Sequence, residues 1–443
     1  MRDSFLLRRN RFLVVAAITA WAVVMSLALS SVWSLWPDAP LGTDFLSFWT
    51  GASLLRIGAG PSLYDIDAQR AFQQGLLDGV TTVDRSRLAN WLTPYYNPPF
   101  LALLLVPLTW LSVSAGYVAW WGLRLVAFFG GISLPLRGYH RARYAALLML
   151  TFGAVADNLI WGQVDALFLL VFSLGLMALT RGRQVLGGAL LGFLWLKPQY
   201  AVLFPVVFLV KGRWRELAGM VAVGMAMAVL SFAMLGPEGV SRYLGLMREV
   251  GGFYPPAFSF AMPQIMVNWR GFLINRWPGI SEQTGVMLMG GSGALSILLS
   301  LLAWRGKWDP SSPRFPRQML VTAIATLLAI PHSHFHGLVL LLAPLGLAVA
   351  RPMSDAALSW SWRPLLVVGY LLGFILWPFE NYRWVMVPFF FVAMLVLVLQ
   401  CWAGERAVKP TTSPLSWFNS TLPWKRGDDG SDNRKQDVDG SVE

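Results

Sequence analysis

"DNLIWGQVD", residues 157–165, sits halfway along an apolar stretch that runs from 144 to 180 between two basic clusters, Arg137 to Arg143 and Arg181 to Arg183. A bilayer-spanning helix needs roughly 20 apolar residues. The stretch is too long for one pass, and its middle carries carboxylates, amides and a glycine. It therefore reads as a hairpin of two short helices with a polar tip. Three further segments repeat the pattern: 184–210 around "WLKPQ" at 195–199, 318–350 around "IPHSHFHG" at 330–337, and 364–402 around "WPFENYRW" at 377–384. Proline and polar groups at membrane depth are tolerated only where they are buried in protein or line a wet cavity. The four tips are expected to converge on one cavity.

Composition agrees with this reading. Of 443 residues, 56% are hydrophobic and only 13% are charged, a balance far from that of soluble proteins. The long first apolar run, Phe12 to Trp36, lacks the small-residue pattern of a cleaved signal. A single cysteine, Cys401, excludes an intramolecular disulfide and a cysteine-based metal site. The net charge of +12 comes in short clusters between apolar runs, which marks cytoplasmic loops and sets nucleic acid aside as a partner.

With the basic clusters inside, both termini are expected in the cytoplasm, and 36–96 and 236–283 become two large outer loops. The region 97–136 reads either as one long kinked pass or as two short ones with a surface helix. The expected architecture is an all-α polytopic membrane protein of about 10 to 13 spans, judged from span length. Residues 1–402 form the membrane domain, and the Pro/Ser/Asp-rich stretch 403–443 is expected to be a disordered cytoplasmic tail.

Few groups in so apolar a chain could do chemistry. In "GTDFLSFWTG", residues 42–51, Asp44 opens the first of two expected interfacial helices, broken at Gly58 to Pro61. An aspartate there caps a helix, or, flanked by Trp36, Phe45, Phe48 and Trp49, it has a raised pKa suited to a general base. Lys197 either snorkels to the interface or meets a phosphate. Gln163 and Asp165 either lock helices together or contact substrate. His332, His334 and His336 alternate on one tip; without a nearby acid to complete a site, hydrogen bonding to a polar or anionic substrate is favoured over a metal. Arg242, Arg248, Arg270 and Arg276 lie in the second outer loop against the charge rule, which points to an anionic ligand such as a lipid phosphate.

The order of these pieces resembles glycosyltransferase family 87, the polyprenol-phosphate-sugar-dependent membrane transferases. The likeness is carried by "GTDFLSFWTGASLLRIGAGPSLYD", "NPPFLALLLVPLTWL", "WGQVDALFLLVFSLGLMAL", "GALLGFLWLKPQYAVLFPVVFL" and "AIPHSHFHGLVLLLAPL", over about residues 12 to 400. The resemblance implies a GT-C-type fold in a bacterial inner membrane, with the active site on the periplasmic or outer face. It implies Asp44 as the base, Lys197 on the donor phosphate, and Gln163, Asp165 and His332 on substrate; the outer-loop Arg270 and Arg276 and the tip's His334 are expected to join them on the phosphate and the substrate. No metal or cofactor is implied: a polyprenyl-phosphate sugar, by family default mannose, already has a leaving group. The acceptor would be a lipid or glycan, and the reaction inverting. One departure is that the family often carries a Tyr-Asp pair after the tip proline, where this chain has His336 and Gly337. Two rivals remain at this stage. A transporter or flippase of lipid-linked sugars would show inverted repeats and mid-membrane charges, and a lipid-linked glycan polymerase or ligase would show longer outer loops.

Overall fold

The apolar hairpins break where proline, glycine or a polar run removes the helical hydrogen bond, and those breaks organise the molecule. The structure is a computed structural model that describes residues 15–16, 18–27, 29–30, 39–77, 92–139, 143–256, 262–353 and 363–406. His140, the expected tail from 407 onward and residues 78–91 of the first outer loop lie outside the described residues. Among the described residues every element is helical, and the one β-type pairing is an isolated bridge between Met266 and His334.

Two helices, α1 (Phe45–Arg56) and α2 (Ile66–Leu77), follow the expected break. Unlike an interfacial helix, α1 is buried on all faces from Phe45 to Leu54. Its polar and small positions meet protein rather than water: Tyr95 packs over Gly51, and the Ser47 hydroxyl donates to the Pro94 carbonyl at 2.9 Å, while its own Trp49 packs against Gly116. Buried Gln69 and Gln73 of α2 hold residues 92–97 against α1 by bonding the backbone of Tyr95 and Thr93.

The region left open from the sequence resolves into a short α3 (Pro99–Leu105), a 3-10 turn and a full-length α4 (Val113–Ser133) capped by the Ser112 hydroxyl. The first hairpin becomes α5 (Arg143–Leu150), α6 (Gly153–Trp161) and α7 (Asp165–Thr180). The second is α8 (Gln184–Gly192) and α9 (Leu203–Val210), joined through short turns around Lys197. Next, α10 (Trp214–Val250) runs past the point where the second outer loop was expected to begin, bending at Gly236 and Pro237. After α11 (Trp269–Arg276) and α12 (Glu282–Ala303) come α13 (Arg314–Ala329) and α14 (Leu342–Ala350), which flank the histidine tip. The last described helices are α15 (Arg363–Ile375) and α16 (Met386–Arg406).

Four helical stretches among the described residues are long and apolar enough to cross a membrane: Val113–Leu136, Trp214–Val250, Glu282–Ala303 and Glu380–Ala403. Helix length among the described residues does not confirm the expected 10 to 13 spans, because the broken hairpins divide their apolar residues into halves too short to count singly. Helices α10 and α12 expose large apolar side chains such as Val229, Phe232, Met287 and Leu298, which suits a lipid surround. In contrast, α13 is buried from Phe315 to Leu328 and forms the centre of the bundle.

Among the described residues, basic clusters from 137–143, 211–215, 305–317 and 351–363 meet at one end. Arg351 donates to the Tyr139 hydroxyl and the Pro310 carbonyl, Lys211 to the Trp304 and Gly306 carbonyls, and Arg317 to the Pro313 and Arg351 carbonyls. The tips lie at the other ends of the same helices.

Candidate active site

At that other end the tips enclose a cavity of about 150 Å³ lined by Asp44 before α1 and by residues from every tip, including Asp157, Gln163, Lys197, His332, His334, His336, Glu380 and Arg383. The first tip depends on Gly162, which ends α6 in the left-handed conformation at φ 75°. A Cβ there would come within 2.9 Å of the Phe45 Cβ, so glycine serves both the turn and the approach to α1. Trp120 donates to the Gly162 carbonyl at 2.7 Å, and Arg124 donates to the carbonyls of Asn158 and Leu159, satisfying the end of α6.

The close approach joins Asp44 to Gln163. Although Asp44 occupies the N-cap position of α1, its side chain makes no capping bond. Its Oδ2 instead accepts from Gln163 Nε2 at 2.6 Å. The carboxylate is half-buried, opening on the cavity with protein on its other sides. Burial raises its pKa above the ordinary value, opposed by the nearby His336, the Gln163 hydrogen bond and the Lys197 charge.

Lys197 precedes Pro198, which forces it into extended backbone (φ −128°, ψ 90°) and breaks the helix beside it. Its ammonium reaches Gln163 Oε1 at 3.2 Å and Asp165 Oδ1 at 3.0 Å, with the Tyr200 ring centroid 5.5 Å away. The other Asp165 oxygen meets His336 Nδ1 at 2.6 Å and Asn158 Nδ2 at 3.3 Å. Asp44, Gln163, Lys197, Asp165 and His336 thus form one connected chain of polar contacts. Gly337 makes room for it: a Cβ there would meet the Tyr200 hydroxyl at 2.4 Å.

The histidine tip is held from the second outer loop. Val267 N–H donates to the Ser333 carbonyl at 2.9 Å, Asn268 to that of Ile330 at 2.8 Å, and Arg270 to that of Pro331 at 3.1 Å. His332 Nε2 lies 3.3 Å from the Tyr96 hydroxyl, while His332 Nδ1 and His334 Nε2 are buried without a partner.

Of the residues singled out from sequence, Asp44, Gln163, Lys197, His332 and His334 line the cavity, and Asp165 stands directly behind it. Arg270 and Arg276 do not line it. The Arg270 guanidinium is buried and donates to the carbonyls of Val250, Phe253 and Pro331, and Arg276 is exposed against the Trp277 ring. Burial lowers the Arg270 pKa to about 10, which leaves it charged at neutral pH and fixed by backbone dipoles. Sequence reasoning missed Asp157, Glu380 and Arg383; Arg383 Nη2 donates to Asp157 Oδ1 at 2.7 Å across two tips. Their one signal was membership of the polar tips. Among the described residues, no group of three His, Cys, Asp or Glu side chains is arranged to hold a metal ion.

An all-helical, membrane-integral chain whose broken hairpins build one polar cavity around a carboxylate, an amide and a lysine has the equipment of a membrane-embedded transferase. The chain belongs to glycosyltransferase family 87, whose model matches residues 95–331, and it is a glycosyltransferase. It is 27% identical to a polyprenol-phosphate-mannose-dependent alpha-(1-2)-phosphatidylinositol pentamannoside mannosyltransferase of Mycolicibacterium smegmatis, over 73% of this chain and 76% of that one. A Mycobacterium tuberculosis protein of the same description is 25% identical over 80% of this chain and 79% of its own. No solved structure matches the chain.

Proposed function

We propose that the protein moves a hexose, mannose by analogy with its relatives, from a polyprenyl-phosphate donor to a hydroxyl of a lipid or glycan acceptor. The architecture is of the GT-C type, and the reaction runs on the extracytoplasmic face of a bacterial inner membrane. The sidedness rests on the gathering of basic loops at the opposite end. Both relatives carry the donor requirement in their descriptions.

Asp44 is the general base. It accepts the proton of the acceptor hydroxyl as that oxygen attacks the anomeric carbon; the bond from that carbon to the phosphate oxygen breaks, and polyprenyl phosphate leaves with the electron pair. Attack opposite the leaving group inverts the anomeric centre. The raised pKa of Asp44 strengthens it as a base, and Gln163 aims it.

Lys197 neutralises the departing phosphate. An ammonium has three donors; two engage Gln163 and Asp165, and the third is free to meet the phosphate across the cavity it lines. The unpartnered ring nitrogens of His332 and His334 are further contacts for the donor. Asp165 acts as a positioning residue for Lys197 and His336, and Arg270 as a clamp on the histidine tip.

A single observation carries this reading: a carboxylate free of capping duty shares a cavity with a buried lysine through one bridging amide. It is tested by incubating membranes with radiolabelled polyprenyl-phosphate mannose and an acceptor extract, comparing wild type with Asp44→Asn. Transfer by wild type alone supports the reading; equal transfer by both removes Asp44 from the role.

A further inference from the structure

The reaction outlined above leaves part of the cavity lining unused. That part comprises Asp157 and Trp161 on α6 and Glu380 and Arg383 on the 3-10 turn Glu380–Val385. Arg383 is 3% exposed; its Nη2 bonds Asp157 Oδ1 and the Trp377 carbonyl, each at 2.7 Å, and its guanidinium carbon stands 4.6 Å from the Phe335 ring centroid. Its Nε has no partner. Asp157, 2% exposed, balances this buried cation one for one.

Glu380 is then in excess. Its side chain is 42% exposed, lines the cavity and touches Arg383 only at the long distance of 3.4 Å. An ionised carboxylate accepts hydrogen bonds at both oxygens and donates none. Beside Asp157 it repels a phosphate and favours a neutral ligand rich in O–H donors. Trp161 stands one helical turn beyond Asp157 on the same face and also lines the cavity. The negative face of its indole suits the slightly positive C–H surface of a pyranose ring. Asp44, Asp157 and His336 all line the same cavity, so these groups face a common space.

We infer that Glu380, Arg383, Asp157 and Trp161 form a sugar-ring subsite, in which Glu380 accepts hydrogen bonds from ring hydroxyls, Arg383 holds the acid pair in place and Trp161 supports the ring face. The inference deepens the glycosyl-transfer reading and rests on it for the identity of the sugar. The ring belongs either to the donor or to the acceptor, and the chemistry is common to both.

The first experiment needs no turnover. Binding of methyl α-mannopyranoside and of sugar-free polyprenyl phosphate to the purified full chain in detergent is measured for wild type and Glu380→Gln. A hydrogen bond to a charged group contributes enough that its loss weakens binding by about tenfold to a hundredfold. The expected result is that loss for the methyl glycoside with no loss for polyprenyl phosphate. Equal weakening of both ligands, equal glycoside affinity in the two proteins, or no glycoside binding by wild type overturns the subsite. Trp161→Ala supplies a second variant, expected to weaken the glycoside alone; an unchanged affinity removes the stacking role. In the transfer assay, a raised KM for the acceptor in Glu380→Gln assigns the ring to the acceptor, and a raised KM for the donor assigns it to the donor. Neither moving overturns the inference. Absence of transfer by wild type counts against the proposed reaction and leaves the binding test standing.

Discussion

The two ends of this molecule both bury cations, and they treat them differently. At the basic end Arg317, Arg351 and Lys211 each donate to backbone carbonyls, Arg305 lies over the Trp402 ring, Arg213 pairs with Glu216, and Asp309 lies within electrostatic reach of Arg351. A carbonyl dipole satisfies a hydrogen bond without cancelling the charge of its donor. At the cavity end Lys197 is matched by Asp165, and Arg383 by Asp157, which leaves Asp44 and Glu380 as carboxylates without a cation of their own. Residual positive charge orients a chain in a membrane, whereas residual carboxylates beside an opening can take a proton or accept a hydroxyl. Arg270 shows the distinction within one end: it lies close behind the cavity, yet its bonds are all to carbonyls, like those of the basic-end arginines.

The comparison breaks most sharply at Asp44. Asp44→Asn should lower the transfer rate by about a thousandfold, as expected for loss of a general base. Its thermal midpoint should not fall. Because the folded-state pKa is raised, the ionised form at neutral pH disfavours folding, and that cost disappears with the charge. Labelled-sugar transfer and thermal unfolding on one preparation check both halves; a large fall in midpoint would make Asp44 a structural residue after all.

Lys197→Met should be next in size. It leaves buried Asp165 without its ammonium partner, and breaking a buried pair costs about 3–5 kcal/mol. The rate should fall about a hundredfold, and chemical denaturation should show the stability loss.

Gln163→Met should shift a profile rather than abolish activity. The base must be ionised, and Gln163 stabilises that form by hydrogen bonding. The acid limb of kcat/KM should therefore move to higher pH by about one unit. A limb that stays put or moves to lower pH would separate Gln163 from Asp44.

The smallest effect is expected at the basic end. Arg351→Met removes donors to Tyr139 and Pro310 and should cost about 1–3 kcal/mol of stability while kcat/KM stays within about twofold. A larger change in turnover would erase the contrast between the two ends.

How far the sequence reached depended on the range of the interaction. Hairpin breaks are local: Pro198 fixes Lys197, and Gly162 turns the chain before Gln163, so these positions were legible from neighbours in the sequence. The burial of α1 was not, because its serines, threonine and glycine read as a wet face until Tyr95 and the 92–97 segment are seen to cover them. Arg383 and Asp157 are 226 positions apart, and no local pattern announces their pairing. His336 was noticed as a departure from the family; its bond to Asp165 required the fold.

The contact between Gly337 and the Tyr200 hydroxyl bears on ancestry. A lineage that gains an acidic side chain at 337 must first, or simultaneously, trade the tyrosine at 200 for something shorter, since the intermediate with both would wedge the histidine turn away from Asp165. These two positions are expected to be inherited as a couple, and swapping either one between cousins should fail where swapping both succeeds.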